Sequence, residues 1–88
     1  MSASAKKVAE EFKRMVREKL GTVPAHVEAM CDNAPEVVAN FVRMYGAAMK
    51  PGVLDSKVKE LMGLAVAVAL GCKHCMVWHT IMALEHGA

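Results

Sequence analysis

The chain has 88 residues and a formal net charge of +2 at pH 7, and 55% of its residues are hydrophobic. This length predicts a single domain over residues 1–88, and the small charge, with no basic block among aromatic residues, argues against nucleic-acid binding. The fraction of apolar residues exceeds what so small a domain can bury by itself. The longest uncharged run, residues 61–72, is shorter than the roughly 20 residues of a membrane-spanning helix. We therefore expect a soluble homo-oligomer and no membrane partner.

The first half of the chain is predicted to form three helices. The first covers residues 5–20, where apolar residues recur at helical spacing and Gly21 supplies the stop. A short second helix begins at Pro24 and ends near residue 30, and a turn-forming break follows over residues 32–35. The third helix covers residues 35–49, and its spacing directs four side chains inward: Val38, Phe41, Val42 and Tyr45.

A fourth helix is predicted over residues 57–70, capped by Asp55 or Ser56. Gly63, Ala67 and Gly71 recur every fourth residue and give this helix one face without bulky side chains, to which another helix can come close. Glu60 lies on the same face one turn earlier.

The fifth helix is predicted over residues 72–85, after the break at Gly71. If it folds back on the fourth helix as an antiparallel pair, it meets the face that bears Glu60. The predicted fold class is therefore all-α, with about five helices and no strand.

Two cysteines and a histidine share one stripe of the fifth helix. Cys75 lies about 60° from Cys72 around the helix, His79 falls between them in angle, and His74 lies on the far side at about 200°. Thiols three residues apart at a helix start can close a disulfide, and the helix N-terminus favours the thiolate form. His79 can accept a thiol proton, and Glu60 can orient that histidine. This pattern predicts a redox-active thiol pair.

Two other interpretations of these residues stay open at this point. Cys72, Cys75, His79 and Glu60 also form a possible Cys₂His-carboxylate zinc set, although structural zinc sites usually draw ligands from separate loops. Alternatively, the chain is a non-catalytic oligomerisation module whose thiols have lost their role. Cys31 has no partner in sequence and is expected to be structural. Three cysteines without a recognisable signal peptide favour a cytoplasmic location.

The chain resembles the AhpD-like alkylhydroperoxidase branch of the carboxymuconolactone decarboxylase superfamily. The shared pattern is a glutamate, a C-x-x-C motif that begins twelve positions later, and a histidine four positions after the second cysteine. It corresponds here to Glu60, Cys72, Cys75 and His79, and His74 matches a histidine that AhpD has before its second cysteine. The resemblance covers about residues 20–88.

This resemblance implies a thiol-dependent peroxidase or disulfide oxidoreductase whose subunits form trimers or hexamers. It assigns peroxide attack to Cys75, resolution and proton donation to Cys72, and a proton relay to Glu60 and His79, with His74 as a further candidate. It implies no bound cofactor and an external dithiol reductant, a lipoylated or thioredoxin-like protein. Helix-dipole reasoning instead favours Cys72 as the more acidic thiol. AhpD has two such repeats, so a C-terminal extension is expected to be missing here.

Overall fold

The computed structural model describes residues 3–88, and every regular element in that range is α-helical. The all-α prediction is confirmed. The chain divides into two compact units, of which the first ends at Ala47 and the second begins at Ala48. The helices are α1 (Ala3–Leu20), α2 (Ala25–Asn33), α3 (Pro35–Met49), α4 (Ser56–Leu70) and α5 (Lys73–Glu85).

The first unit has a small core that draws on its three helices. Ala9, Cys31 and Val38 are buried together, one from each of α1, α2 and α3. The Lys13 ammonium of α1 donates a 2.8 Å hydrogen bond to the Asp32 carboxylate of α2 beside this core. Partly buried apolar side chains close around the cluster: Phe12, Val27 and Val42.

The predicted inward face of α3 is partly correct. Val38 is buried, but Phe41 is 46% exposed, so its placement in the core is wrong. Its ring instead stacks on that of Tyr45, one turn later on the same helix, at a centroid distance of 6.1 Å, and meets the edge of Phe12 at 6.3 Å. The aromatic rings pack against one another at the rim of the unit, whereas helical spacing alone predicts that Phe41 is buried in the core.

The break between α2 and α3 is shorter than predicted. Helix α2 continues to Asn33, whose side-chain amide donates a 2.9 Å hydrogen bond to the Ala29 carbonyl in its last turn. Only Ala34 leaves the helical conformation, with φ −140° and ψ 57°, because a residue before proline is pushed out of the α region. Pro35 then begins α3, at the predicted position.

The second unit consists of the end of α3, a loop, α4 and α5. Asp55 is the N-cap of α4, and its carboxylate accepts a 2.8 Å hydrogen bond from the Val58 amide. Gly71 ends α4 in the left-handed conformation, at φ +71°, which glycine adopts without strain. With only Gly71 and Cys72 between them, α4 and α5 pack against each other over much of their length.

No helix in the part of the chain that the structure describes is long and apolar enough to cross a membrane.

Candidate redox-active site

The two cysteines of the C-x-x-C motif are joined as a disulfide at the start of α5. Cys72 is the N-cap residue, with an extended backbone, and its carbonyl accepts a 2.9 Å hydrogen bond from the Met76 amide. Cys75 lies in the first turn of α5, 5.2 Å away between Cα atoms, within the usual range for a disulfide. The predicted pairing therefore forms locally, within one helical turn.

The two cysteines differ in exposure. Cys75 is exposed, whereas Cys72 is half-buried between the end of α4 and the start of α5. The first turn of α5 contains no acidic residue, and the side chains of Lys73 and His74 there are exposed. A helix N-terminus without nearby carboxylates favours a negative charge on sulfur once the disulfide is reduced.

A buried carboxylate from α4 meets a histidine from α5. The Oε1 atom of Glu60 lies 2.7 Å from the Nδ1 atom of His79, and the Glu60 side chain is 0% exposed. When Glu60 is ionised it can only accept, so in that state Nδ1 holds the proton of this bond. This arrangement fixes the ring orientation. The ring, 17% exposed, lies one helical turn after Cys75.

The absence of a side chain at Gly63 makes room for this histidine. A Cβ atom at Gly63 would lie 2.8 Å from Cε1, 2.9 Å from Nδ1 and 3.1 Å from Nε2 of His79. Ala67, one turn further along α4, is also buried. The close approach that the spacing of small residues predicted is therefore observed at Gly63, and it brings Glu60 to His79.

The remaining candidate, His74, is not part of this contact. It lies in the exposed first turn of α5, between the two cysteines in sequence. Its assignment stays a prediction.

Sequence reasoning missed two residues that hold the loop before α4. The Ser56 hydroxyl donates a 2.7 Å hydrogen bond to the Met49 carbonyl, and the Lys59 ammonium donates to the carbonyls of Ala48, at 3.0 Å, and Lys50, at 2.8 Å. These carbonyls lie at the end of α3, where backbone acceptors lack partners within the helix. The sequence signal that could have predicted these hydrogen bonds is the polar first turn of α4, which follows a Pro-Gly loop. The bonds fix the start of the helix that bears Glu60.

The zinc alternative finds no assembled ligand set. Among residues 3–88, no three histidine, cysteine or acidic side chains gather in a way that could hold a metal ion. Cys31 lies in the other unit, buried and outside the disulfide, and burial raises the pKa of its thiol. The predicted structural role of Cys31 is consistent with this burial.

The sequence has recognisable relatives. Residues 35–88, more than half of the chain, match the profile of the carboxymuconolactone decarboxylase family, and this region contains α3, α4 and α5. An uncharacterized protein of Cupriavidus necator is 33% identical over 73 residues, a match that covers 83% of this chain and 65% of the relative. The chain thus spans just under two thirds of the length of that relative. No solved structure matches this chain.

Proposed function

Since the chain belongs to the carboxymuconolactone decarboxylase family, we propose that it is an AhpD-like thiol peroxidase and disulfide oxidoreductase that works through Cys75 and Cys72. The observation that supports this most directly is the Cys72–Cys75 disulfide at the start of α5. The buried Glu60–His79 pair lies one turn further along the same helix. A thiol pair, a base and a carboxylate that orients the base are the groups that thiol-based peroxide reduction needs.

In the first step, the His79 imidazole takes the proton of the Cys75 thiol, and the resulting thiolate attacks the terminal oxygen of a hydroperoxide. The O–O bond breaks, the sulfur is oxidised to sulfenic acid, and the alkoxide leaves as an alcohol after it takes a proton from the Cys72 thiol. The exposure of Cys75 supports its assignment as the attacking thiol, because a substrate reaches it from solvent. The half-buried Cys72 then suits the resolving role.

In the second step, the Cys72 thiolate attacks the Cys75 sulfur. The S–S bond forms, the S–O bond breaks, and hydroxide leaves as water with a proton from the His79 imidazolium. An external dithiol, on a lipoylated or thioredoxin-like protein, then reduces the disulfide by exchange and returns two electrons and two protons. The same exchange accounts for activity toward disulfide substrates.

Glu60 acts through His79 in this scheme. A fully buried carboxylate 2.7 Å from Nδ1 stabilises the ring while it carries a positive charge, and it keeps the other ring nitrogen as the group that exchanges protons with the thiols. His79 follows Cys75 by four residues, so the two side chains are neighbours on α5.

The proposed assembly is a cytoplasmic homo-oligomer, a trimer or hexamer built on antiparallel α4–α5 pairs. Helix α4 contains no charged residue after Glu60, and much of its apolar surface is exposed in the single chain. Exposed apolar surface of this extent on one helix is typical of a protein interface. The exposed large apolar side chains on α4 are Leu61, Met62, Val66, Val68 and Leu70.

The function is tested by stoichiometric oxidation. The reduced protein is treated with one equivalent of hydrogen peroxide or an alkyl hydroperoxide, and intact mass and peptide mapping are recorded. We expect the loss of two hydrogens, located at Cys72 and Cys75, and reversal by dihydrolipoamide or a thioredoxin-like dithiol. A Cys31→Ser variant is the matched control and should behave as wild type. Thiols that stay reduced, or that overoxidise without a bridge, would contradict the proposal.

Metal analysis of protein purified without chelator separates the zinc alternative. Stoichiometric zinc, lost on replacement of Cys72 or Cys75, would favour a metal site. An assembly that remains intact without any peroxide turnover would instead favour the non-catalytic module.

A further inference from the structure

We propose that Gly63 is a positioning residue for His79: the missing side chain at this point of α4 holds the imidazole in the orientation in which Nδ1 meets Glu60. The kinetic consequence of this proposal rests on the proposed function, whereas its structural content does not. Gly63 itself touches neither substrate nor the sulfur atoms in this scheme and acts only through the ring.

The contact is too close for any side chain at this position. The three nearest heavy atoms to an added Cβ all belong to His79, and they form one continuous edge of its ring, Nδ1–Cε1–Nε2. Two of the three distances fall below 3.0 Å, which real Cβ atoms essentially never show. A side chain at residue 63 would therefore push the ring away from α4.

The ring cannot move away without loss of the Glu60 contact. Its Nδ1 atom is both 2.7 Å from Glu60 Oε1 and 2.9 Å from the site of the added Cβ. Glu60 lies one turn before Gly63 on the same helix and is fully buried, so it cannot follow the ring outward. Either the hydrogen bond to Glu60 lengthens or the ring turns, and in both cases the surroundings of Nδ1 change.

Glycine inside a helix is unfavourable relative to alanine, so a change to alanine favours the helix wherever the added methyl group has space. Gly46, in α3, provides the comparison, because a Cβ added there meets nothing within 4 Å. At Gly46 an alanine has space, and at Gly63 the space is already filled by the His79 ring.

The test compares Gly63→Ala with Gly46→Ala, each in the wild-type and His79→Ala backgrounds. The first measurement uses no activity: two-bond ¹H–¹⁵N correlation spectra distinguish protonated from bare ring nitrogens and identify the His79 ring by its loss in His79→Ala. We expect Gly63→Ala to change the His79 nitrogen shifts and Gly46→Ala to leave them unchanged. Identical His79 spectra in wild type and Gly63→Ala would overturn the proposal.

The second measurement is the rate of peroxide-driven disulfide formation. A reacting group displaced by about 1 Å can lose about 100-fold in rate, so Gly63→Ala should approach the rate of His79→Ala, with Gly46→Ala near wild type. In the His79→Ala background, Gly63→Ala should add no further loss, because the atoms that it meets are gone. A further slowing in that background would overturn the proposal.

Thermal unfolding shows whether a slow variant is slow only because it has lost its fold. If Gly63→Ala is destabilised by the ring contact, the double variant should unfold no earlier than His79→Ala alone. Earlier unfolding of the double variant would mean that the added methyl group meets something else, and the proposal would be wrong. If wild type shows no peroxide oxidation, the proposed function fails, but the nitrogen spectra still decide whether Gly63 positions His79.

Discussion

Glu60 and His79 are joined across the α4–α5 interface by a 2.7 Å contact between a fully buried carboxylate oxygen and an imidazole nitrogen. A buried carboxylate is costly unless it is paired and hydrogen-bonded. Within residues 3–88, no buried side-chain nitrogen or oxygen is left without a hydrogen-bond partner, so Glu60 meets this requirement. The pair therefore has two roles: it links the two helices, and in the proposed function it orients and assists His79, the proposed base.

Glu60→Gln separates these two roles. The amide has nearly the same shape and its oxygen can still accept from Nδ1, but the negative charge that stabilises the His79 imidazolium is lost. We expect disulfide formation with peroxide to slow about 100-fold, the lower end of the usual range for loss of acid–base assistance, because the imidazole itself is retained, and we expect the fold to be retained. Stopped-flow tryptophan fluorescence or quenched mass spectrometry measures the rate. Glu28→Gln, an exposed carboxylate on α2, is the matched control. A wild-type rate in Glu60→Gln would remove Glu60 from the relay.

The order of the thiols is tested by single serine variants. If exposed Cys75 attacks first, Cys72→Ser should accumulate a sulfenic acid at residue 75 that dimedone traps, because the resolving thiol is missing. Cys75→Ser should form no such adduct at an appreciable rate. The measurement is the dimedone mass increase, mapped to its peptide.

The opposite labelling pattern would assign the attack to Cys72, as the helix-dipole argument from sequence alone favours. Both variants retain Cys31, whose burial keeps it from contributing an adduct in the folded protein.

The sequence predicts local features of this site well. The start of α3 at Pro35, the end of α4 at Leu70 and the C-x-x-C motif at the start of α5 are confirmed, because proline, glycine and three-residue spacing act within a few residues. The small-residue face of α4 also predicted the approach of α5, since a missing Cβ permits close contact whatever the partner.

Other features depend on which residues meet after folding. Phe41 was expected inside from its periodicity, but it finds Tyr45 and Phe12 at the rim of the first unit. The sequence left the N-cap of α4 open between Asp55 and Ser56. In the structure Asp55 is the N-cap, and the Ser56 hydroxyl donates to the Met49 carbonyl. Such choices follow from tertiary packing, which one sequence does not display.

The proposed subunit association through α4 predicts that a charge introduced on the exposed face of this helix weakens the assembly. Val66 is 58% exposed in the single chain, so Val66→Glu should leave the helix intact but place a charge in the proposed interface. We expect dissociation to smaller species in size-exclusion chromatography with light scattering, with unchanged helical circular dichroism. Lys57→Gln, which also lowers the net charge by one unit but near the start of the same helix, is the control for net charge. An unchanged assembly in Val66→Glu would place the interface elsewhere.

Cys31 predicts a loss of stability at alkaline pH. Burial raises the pKa of its thiol, so the folded state keeps a proton that the unfolded state has already lost above the ordinary range of cysteine. The unfolded state then binds fewer protons than the folded state, and the free energy of unfolding falls as pH rises. The slope from this single group is at most about 1.4 kcal/mol per pH unit. Denaturant unfolding between pH 7 and 10 measures it.

Cys31→Ser is the control, because serine does not titrate in this range. Its free energy of unfolding should start lower at pH 7, since a hydroxyl replaces a buried thiol, and should fall less steeply than that of wild type. The Lys13–Asp32 pair persists across this range, because Asp32 raises the pKa of Lys13 above its ordinary value and the contribution of the pair is lost only as pH rises through that raised value. Both proteins keep this pair, so the difference between their slopes isolates Cys31. Parallel slopes would mean that the buried thiol does not resist ionisation in the folded state.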